Sequence, residues 1–405
     1  MTSRLHSTAR VVDRAFLVAA DLDGALLPAK DSLEELGELA RTAGAEVVGS
    51  AFQKLDHPHV ATYLGKGKIE EVRQARRDLG ANVVIFDDEL SPSQQRNLER
   101  ELDAKVIDRT ALILDIFATR ANTREGRLQV ALAQMQYLLP RLAGQWSHLE
   151  RMEGAIGTRG PGETQIETDR RLIRSRISRI KTDLDSVRQQ RSLYRRQRQR
   201  AGLPVVALVG YTNAGKSTLM KALAGADVLV EDKLFATLDP VTRRIALPSG
   251  EIVLLTDTVG FIQKLPTALI AAFRATLEEL EEADLLLHVV DIAHPLAYEH
   301  METVDKTLET LGVGEKLRLV LLNKVDMLRN DEGAVVVDFD EARTVVQGAG
   351  APPANVAVIS AAKRWGFGLL LDRIQRGLDG DLGDDAASIL GTQALFESPS
   401  LDSQE

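Results

Sequence analysis

Short apolar runs and longer amphipathic stretches take turns along the first third of the chain. The runs Ala15 to Ala19, Glu46 to Phe52, Val83 to Phe86 and Lys105 to Ile107 read as strands. Between and after them, Ser32 to Ala43, Lys68 to Leu79, Ser91 to Leu102 and Ala111 to Arg120 read as helices. Ser91, followed by Pro92 and Gln94, has the chemistry of a helix start: a hydroxyl to accept an orphan N–H and a proline that needs none. Strand and helix in alternation predict an open, parallel α/β sheet.

From Leu128 the pattern turns helical and runs to Leu142. A glycine-rich connector, Gly154 to Thr164, separates it from a second helical stretch, Glu167 to Arg200. In that stretch Ile173, Ile177, Ile180, Leu184 and Val187 fall three and four residues apart and make one apolar stripe. The two helices are expected to lie antiparallel about the connector. Strand–helix alternation then resumes. The expected organisation is an N-terminal parallel α/β domain over 1–125, an antiparallel helical arm over 126–202, a second α/β domain over 203–379, and an acidic, flexible tail over 380–405 rich in Ser, Gly and Asp.

Composition narrows the chemistry. A chain of 405 residues that is 44% hydrophobic buries substantial cores and divides into two or three domains. The absence of cysteine excludes disulfides, thiolate-held zinc, iron–sulfur clusters and thiol catalysis. No apolar run reaches the roughly 20 residues that span a bilayer, and Arg4, Arg10, Asp13 and Arg14 break any leader-like core. The cytoplasm is the expected location, and without a long heptad array a monomer is expected. The net charge of −9 speaks against nucleic acid, yet about a dozen Lys and Arg between Arg170 and Arg200 face only Asp183 and Asp185. That run is either a solvated face or a surface for RNA phosphates. The connector has the same two readings: a flexible hairpin, or a tip whose four glycines, Thr158 and Arg159 present donors to phosphate. Arg159, Arg170, Arg171 and Arg174 are the candidate RNA contacts. Because only 4% of residues are aromatic, contact with structured RNA is favoured over base stacking.

The sharpest chemical signal is Gly210-Tyr211-Thr212-Asn213-Ala214-Gly215-Lys216-Ser217-Thr218. It follows the apolar run Val205 to Val209 and opens a helix, Lys216 to Ala224, the setting a phosphate-binding P-loop requires. Backbone N–H groups and the helix dipole would point at phosphates, with Lys216 on the outer ones and the Ser217 hydroxyl on Mg²⁺. Asp257-Thr258-Val259-Gly260 ends the run Ile252 to Thr256, where a carboxylate can serve Mg²⁺ and a glycine N–H can sense the γ-phosphate. Asn323-Lys324-Val325-Asp326 closes Leu317 to Leu322. Asp326 selects guanine, because a carboxylate only accepts hydrogen bonds and guanine offers it two donors where adenine does not. Ser360-Ala361-Ala362, after Val356 to Ile359, fits a loop that covers the base. Phe235-Ala236-Thr237-Leu238-Asp239 supplies Thr237, a third Mg²⁺ ligand that can let go after hydrolysis. Each segment alone has an ordinary explanation as a turn. In this order they predict a Ras-like P-loop GTPase domain, with Lys216, Thr237 and Gly260 at its catalytic centre.

The segments GAIGTRGPGETQIETDRR (Gly154 to Arg171), GYTNAGKST, FATLDPVTR, DTVGFIQKLP and AAFRATLEEL together closely resemble the HflX family of GTPases. So do Tyr63 to Lys68, Val106 to Ala118 and Glu125 to Leu142. The resemblance implies a ribosome-associated, stress-linked GTPase that binds the large ribosomal subunit and separates stalled or inactivated ribosomes, its arm reaching towards the peptidyl-transferase region. Some members are credited with ATP binding in the N-terminal domain, which gives ATP-driven RNA remodelling as another reading. Here Tyr63 to Lys68 has two glycines and two lysines without the full P-loop pattern, and an ordinary strand–turn–helix competes with that reading. Occlusion of the subunit, with hydrolysis only releasing the factor, is a further reading. Phe261 stands where Ras-like enzymes carry a water-orienting glutamine, so slow intrinsic hydrolysis is expected until a partner orders Phe261 to Pro266. Gln263 is near in sequence only. Asn213 matches a position that supports K⁺ in some related GTPases, or else simply caps the loop.

Overall fold

The computed structural model describes residues 12–24, 26–145, 161–200, 202–225, 234–266, 269, 279–347 and 353–381. The chain divides into two compact units, residues 1–119 with 132–179, and residues 120–131 with 180–405.

In the first unit, β1 (Arg14–Leu22), β2 (Glu46–Leu55), β3 (Val83–Phe86) and β4 (Lys105–Asp108) form a parallel sheet in the order β2-β1-β3-β4. The helices α1 (Ala29–Thr42), α2 (Lys66–Asp78), α3 (Pro92–Leu102) and α4 (Arg109–Arg120) alternate with them. A parallel sheet is covered on both faces, which is why β3 is buried throughout and reads as an unbroken apolar run. Val84, Phe86 and Val106 pack against Ile69 and Val72 of α2 and Leu98 and Leu102 of α3. Ser91 caps α3 as its sequence foretold: its hydroxyl accepts from the Gln94 N–H, and the Gln94 side chain accepts from the Ser91 N–H.

The carboxyl ends of β3 and β4 bury charge. Arg109, which opens α4, lies fully buried between Asp87, at 2.8 Å, and Glu35 of α1. Ser32 donates to the other oxygen of Asp87 at 2.6 Å. Asp108 accepts from the N–H groups of Leu90 and Ala111 and from the Tyr137 hydroxyl, and pairs with Arg141 at 3.2 Å. Each ion is compensated inside the protein, the condition under which buried charge is tolerated.

Two long helices follow, α5 (Arg124–Gln145) and α6 (Pro161–Arg200). Along α6, Ile180 and Leu184 are buried, Ile173, Ile177 and Val187 half-buried, and Arg171, Arg174, Arg176 and Arg179 exposed. The connector up to residue 160, Arg159 included, and the tail beyond residue 381 lie outside the described residues, while Pro161 to Thr164, expected in the connector, already belong to α6.

The second unit holds a six-stranded sheet in the order β10-β9-β8-β5-β7-β6, formed by β5 (Val205–Gly210), β6 (Val241–Ala246), β7 (Ile252–Asp257), β8 (Leu285–Asp291), β9 (Arg318–Asn323) and β10 (Val356–Val358). Only β6 is antiparallel to its neighbour. The helices α7 (Lys216–Ala224), α8 (Ala297–Thr310), α9 (Phe339–Gln347) and α10 (Phe367–Leu378) complete it. Because five strands run the same way, the loops leaving β5, β7, β9 and β10 gather at one edge of the sheet, where open α/β sheets place their ligands.

Beneath that edge, His288 of β8 is buried with no hydrogen-bond partner on either ring nitrogen among the described residues. Asp305 of α8 is 3.8 Å away and is itself paired with Arg318. Burial, then the positive charge of Arg318 and Lys216, lowers the His288 pKa to about 3, while burial raises that of Asp305 to about 6.

Two stability measurements follow. Arg109→Ala, which strands buried Asp87 and half-buried Glu35, is expected to cost about 3–5 kcal/mol in urea unfolding, against about 1 kcal/mol for Ser91→Ala. Neutral His288 makes folding weaker as pH falls below its unfolded pKa near 6.5, since only the unfolded chain then takes up the proton. Asp305 acts with the opposite sign between pH 6 and its ordinary value. His288→Leu removes the first contribution, so its stability should fall by about 2 kcal/mol less than the parent's between pH 7.5 and 5. An equal fall in both proteins would contradict the assignment.

Candidate functional site

The loop that leaves β5 turns back under its own lysine. Lys216 is buried, and its Nζ donates to the carbonyls of Gly210 at 3.0 Å and Tyr211 at 2.7 Å. Burial lowers its pKa to about 8, with Asp257 pulling the other way. Gly215 takes φ +98, and a Cβ there would collide with the Asn323 side-chain amide, so glycine is required for both conformation and room. α7 starts at Lys216 directly beyond it, placing a helix N-terminus at the floor of the cradle.

Around this floor stand Thr212, Asn213, Ser217, Thr218, Phe235, Ala236, Thr237, Thr258 and Gly260. Gly260 passes so close that a Cβ would sit 2.8 Å from the Thr212 Cα and 3.1 Å from the Lys216 Nζ. The loop after β7 is zipped to the phosphate loop: the Phe261 N–H donates to the Gly210 carbonyl at 3.1 Å and the Thr212 N–H to the Phe261 carbonyl at 2.6 Å. Phe235 takes φ +56 and donates its N–H to the Thr212 hydroxyl at 3.0 Å, bringing its segment onto the same loop.

Three oxygen-bearing side chains from three segments converge. The Ser217 and Thr237 hydroxyls are 2.8 Å apart and donate to one oxygen of Asp257 at 2.8 and 2.9 Å. The other oxygen, Oδ1, is buried and has no hydrogen-bond partner among the described residues. Burial raises the Asp257 pKa, opposed by Lys216 and by these hydroxyls. Two hydroxyls and a carboxylate with an unused oxygen are a donor set that fits a small divalent cation such as Mg²⁺.

The residues that match this arrangement in order along the chain decide its kinship. Residues 205–324 match the family described as 50S ribosome-binding GTPase, and residues 30–118 and 120–198 match the N-terminal and middle regions of GTP-binding GTPases. A GTPase HflX of Lacrimispora saccharolytica is 52% identical over 328 residues, 81% of this chain and 77% of its own. That of Caldanaerobacter subterraneus is 48% identical, covering 92% of this chain and 82% of its own. That of Escherichia coli is 50% identical, covering 77% and 72%. The chain belongs to the HflX family of GTPases. It binds and hydrolyses GTP, and no helix among the described residues is long and apolar enough to cross a membrane.

Other expected GTPase residues sit just outside the cradle. Leu238 and Val259 are buried in the protein, and Ala214 turns its carbonyl to Asn323. Asp239, expected among the GTP contacts, instead turns its carboxylate towards Asn122 and Thr123. Lys324 takes φ +64 and pairs with Asp291 at 2.7 Å, Val325 is buried, and Asp326 is half-buried on a short 3₁₀ turn. Ser360 and Ala361 are buried beside β10, whereas Ala362 is exposed.

Spacing did not reveal what Asn323 does. Its Nδ2 donates to the Ala214 carbonyl at 2.8 Å and its Oδ1 accepts from the Ala361 N–H at 2.9 Å. One buried side chain therefore ties the phosphate loop to the loop expected over the base. Tyr211, expected among the GTP-binding residues of the phosphate loop, is buried and does not line the cradle. Its ring stacks on His300 at 3.8 Å and 6°, and its hydroxyl accepts from the Gln263 N–H at 3.0 Å. Gln263 is buried and does not line the cradle.

Asn323→Ala leaves a buried carbonyl and a buried N–H without partners, each costing about 1–3 kcal/mol. Affinity for GDP, read by titration with a fluorescent analogue, should fall at least about tenfold. Affinity within twofold of the parent would show that the two loops hold without it.

Proposed function

We propose that this chain is a Mg²⁺-dependent GTP switch that works in the cytoplasm on the large ribosomal subunit, as a monomer, and separates or rescues stalled or stress-inactivated ribosomes. The observation that carries the switch is the meeting of Ser217, Thr237 and Asp257 at the mouth of the Lys216 cradle. Ser217, Thr237 and Asp257 would hold Mg²⁺, which supplies charge neutralisation on the β- and γ-phosphates. Lys216 and the first N–H groups of α7 would meet the same phosphates, and the Gly260 N–H is the candidate γ-phosphate sensor. Thr237 and Gly260 lie on different segments that both close on the phosphate loop, so loss of the γ-phosphate would relax both. Support for the ribosomal half comes from the family matched by residues 205–324 and from the exposed arginines of α6, Arg171 and Arg174 among them, with Arg170 half-buried beside them.

Turnover is expected to be slow in isolation. Phe261 has its ring buried, so the position after Gly260 brings no group to orient water. Ordering of residues 261–266 by the subunit would supply the missing alignment. Asn213, which lines the cradle at φ +62, either supports K⁺ or caps the loop. In the first unit, the Gly65 N–H donates to Gln53 and Lys68 pairs with Glu71, so the loop Tyr63 to Lys68 has internal partners and the reading favoured here keeps the nucleotide to one site.

GTP turnover by the full chain, alone and with large ribosomal subunits in K⁺ and then Na⁺ buffer, tests this. Stimulation of at least about tenfold, a change of about 1.4 kcal/mol in barrier, is expected, and its loss in Na⁺ would give Asn213 the cation role. A rate indifferent to subunits would overturn the ribosomal half. Lys216→Ala should abolish subunit separation; separation that survives would instead favour simple occlusion.

A further inference from the structure

Asp239 stands two residues beyond Thr237, and its carboxylate is held by the start of a helix. One oxygen accepts from the N–H groups of Asn122 and Thr123, both at 2.9 Å, and the other accepts from the Thr123 hydroxyl. That hydroxyl in turn accepts from the Gly126 N–H at 2.9 Å, and the Thr123 carbonyl accepts from the Arg127 N–H at 3.1 Å, so Thr123 is the N-cap of α5. The approach is close enough to demand a glycine: a Cβ on Gly126 would collide with Asp239 Oδ1. All of these residues belong to the second unit.

The short segment between Thr237 and β6 has little freedom. Phe235 is tied to Thr212 at one end, Leu238 is buried in the middle, and Pro240 restricts the backbone of Asp239 before β6 begins at Val241. A carboxylate at a helix N-terminus is favoured by both the free N–H groups and the helix dipole. With three donors on Asp239, the position of the Thr237 backbone is set by the first turn of α5 as much as by the phosphate loop.

We propose that Asp239 is a positioning residue for GTP hydrolysis, which holds Thr237 in its working place by anchoring the segment to the N-terminus of α5. This rests on the reading that Thr237 works at the γ-phosphate. It adds that the anchor lies outside the nucleotide-contacting residues, on Asn122, Thr123 and Gly126. Asp239 touches neither substrate nor metal in this scheme. Its effect therefore belongs in the rate and not in the binding of GDP, which makes no use of Thr237.

The test uses the full chain with Asp239→Ala, Thr123→Ala, Thr123→Ser and the double alanine variant. Single-turnover GTP hydrolysis and the affinity for fluorescent GDP are measured for each, with Thr237→Ala alongside. Asp239→Ala and Thr123→Ala are each expected to slow hydrolysis by about tenfold with GDP affinity within twofold of the parent. The double variant should be no slower than either single one, since both break one linkage. Thr123→Ser keeps the hydroxyl and should restore the parental rate. Rates unchanged or raised in both single variants, effects that multiply in the double, or loss of GDP binding in step with rate would each overturn the proposal. A parental rate in Thr237→Ala would instead sink the role given to Thr237, which separates that failure from a failure of the Asp239 anchor.

Discussion

A single ammonium group kept out of water organises the second unit. Lys216 is buried, and its ammonium donates to two carbonyls of its own loop. Removing a cation from water is costly, and the lowering of its pKa to about 8 expresses that cost. The loop must curl tightly to bring the Gly210 and Tyr211 carbonyls within reach, which calls for glycine at Gly215. The segment after β7 must pass close above, which calls for glycine at Gly260. Asp257, whose own ionisation is opposed by burial, is stabilised by the same lysine. Lys216 and Asp257 thus hold each other's charge in a site that burial makes unfavourable for both.

How much of this was legible in the chain depends on whether a contact is local. The P-loop, the strand before it and the helix after it are encoded within about twenty residues, and the structure places them as read, α7 spanning Lys216 to Ala224 as expected. The α3 cap is equally local, since Ser91 and Gln94 need only each other. β1 and β3 were legible because buried parallel strands are continuous apolar runs. By contrast β6 was passed over: its alternating Val241 to Ala246 carries two arginines and pairs only along one edge. The helices α8, α9 and α10, and the strand β8, carry no nucleotide motif.

Contacts between distant segments were not legible. The reach of Asp239 to Thr123 spans 116 positions, and that of Asn323 to Ala214 spans 109. Nothing in spacing or composition announces either, because a carboxylate after Thr237 and an amide after β9 both have obvious local uses. Charge in the first unit follows the same rule. Arg109, Asp87 and Glu35 come from three elements, and the sequence shows only that ions occur at strand ends. Together they make the carboxyl edge of that sheet a place where one buried arginine gathers two carboxylates.

Asn323 has a consequence for how nucleotide leaves. Through its two amide bonds, the loop at Ser360 and Ala361 is linked to the carbonyl at the top of the phosphate loop. Neighbouring Ala362 and Lys363 are exposed, so a partner has a handle there. Pulling on that handle strains the far end of the cradle without anything entering it. If one loop covers the base and the other the phosphates, a single buried amide would couple the release of the two.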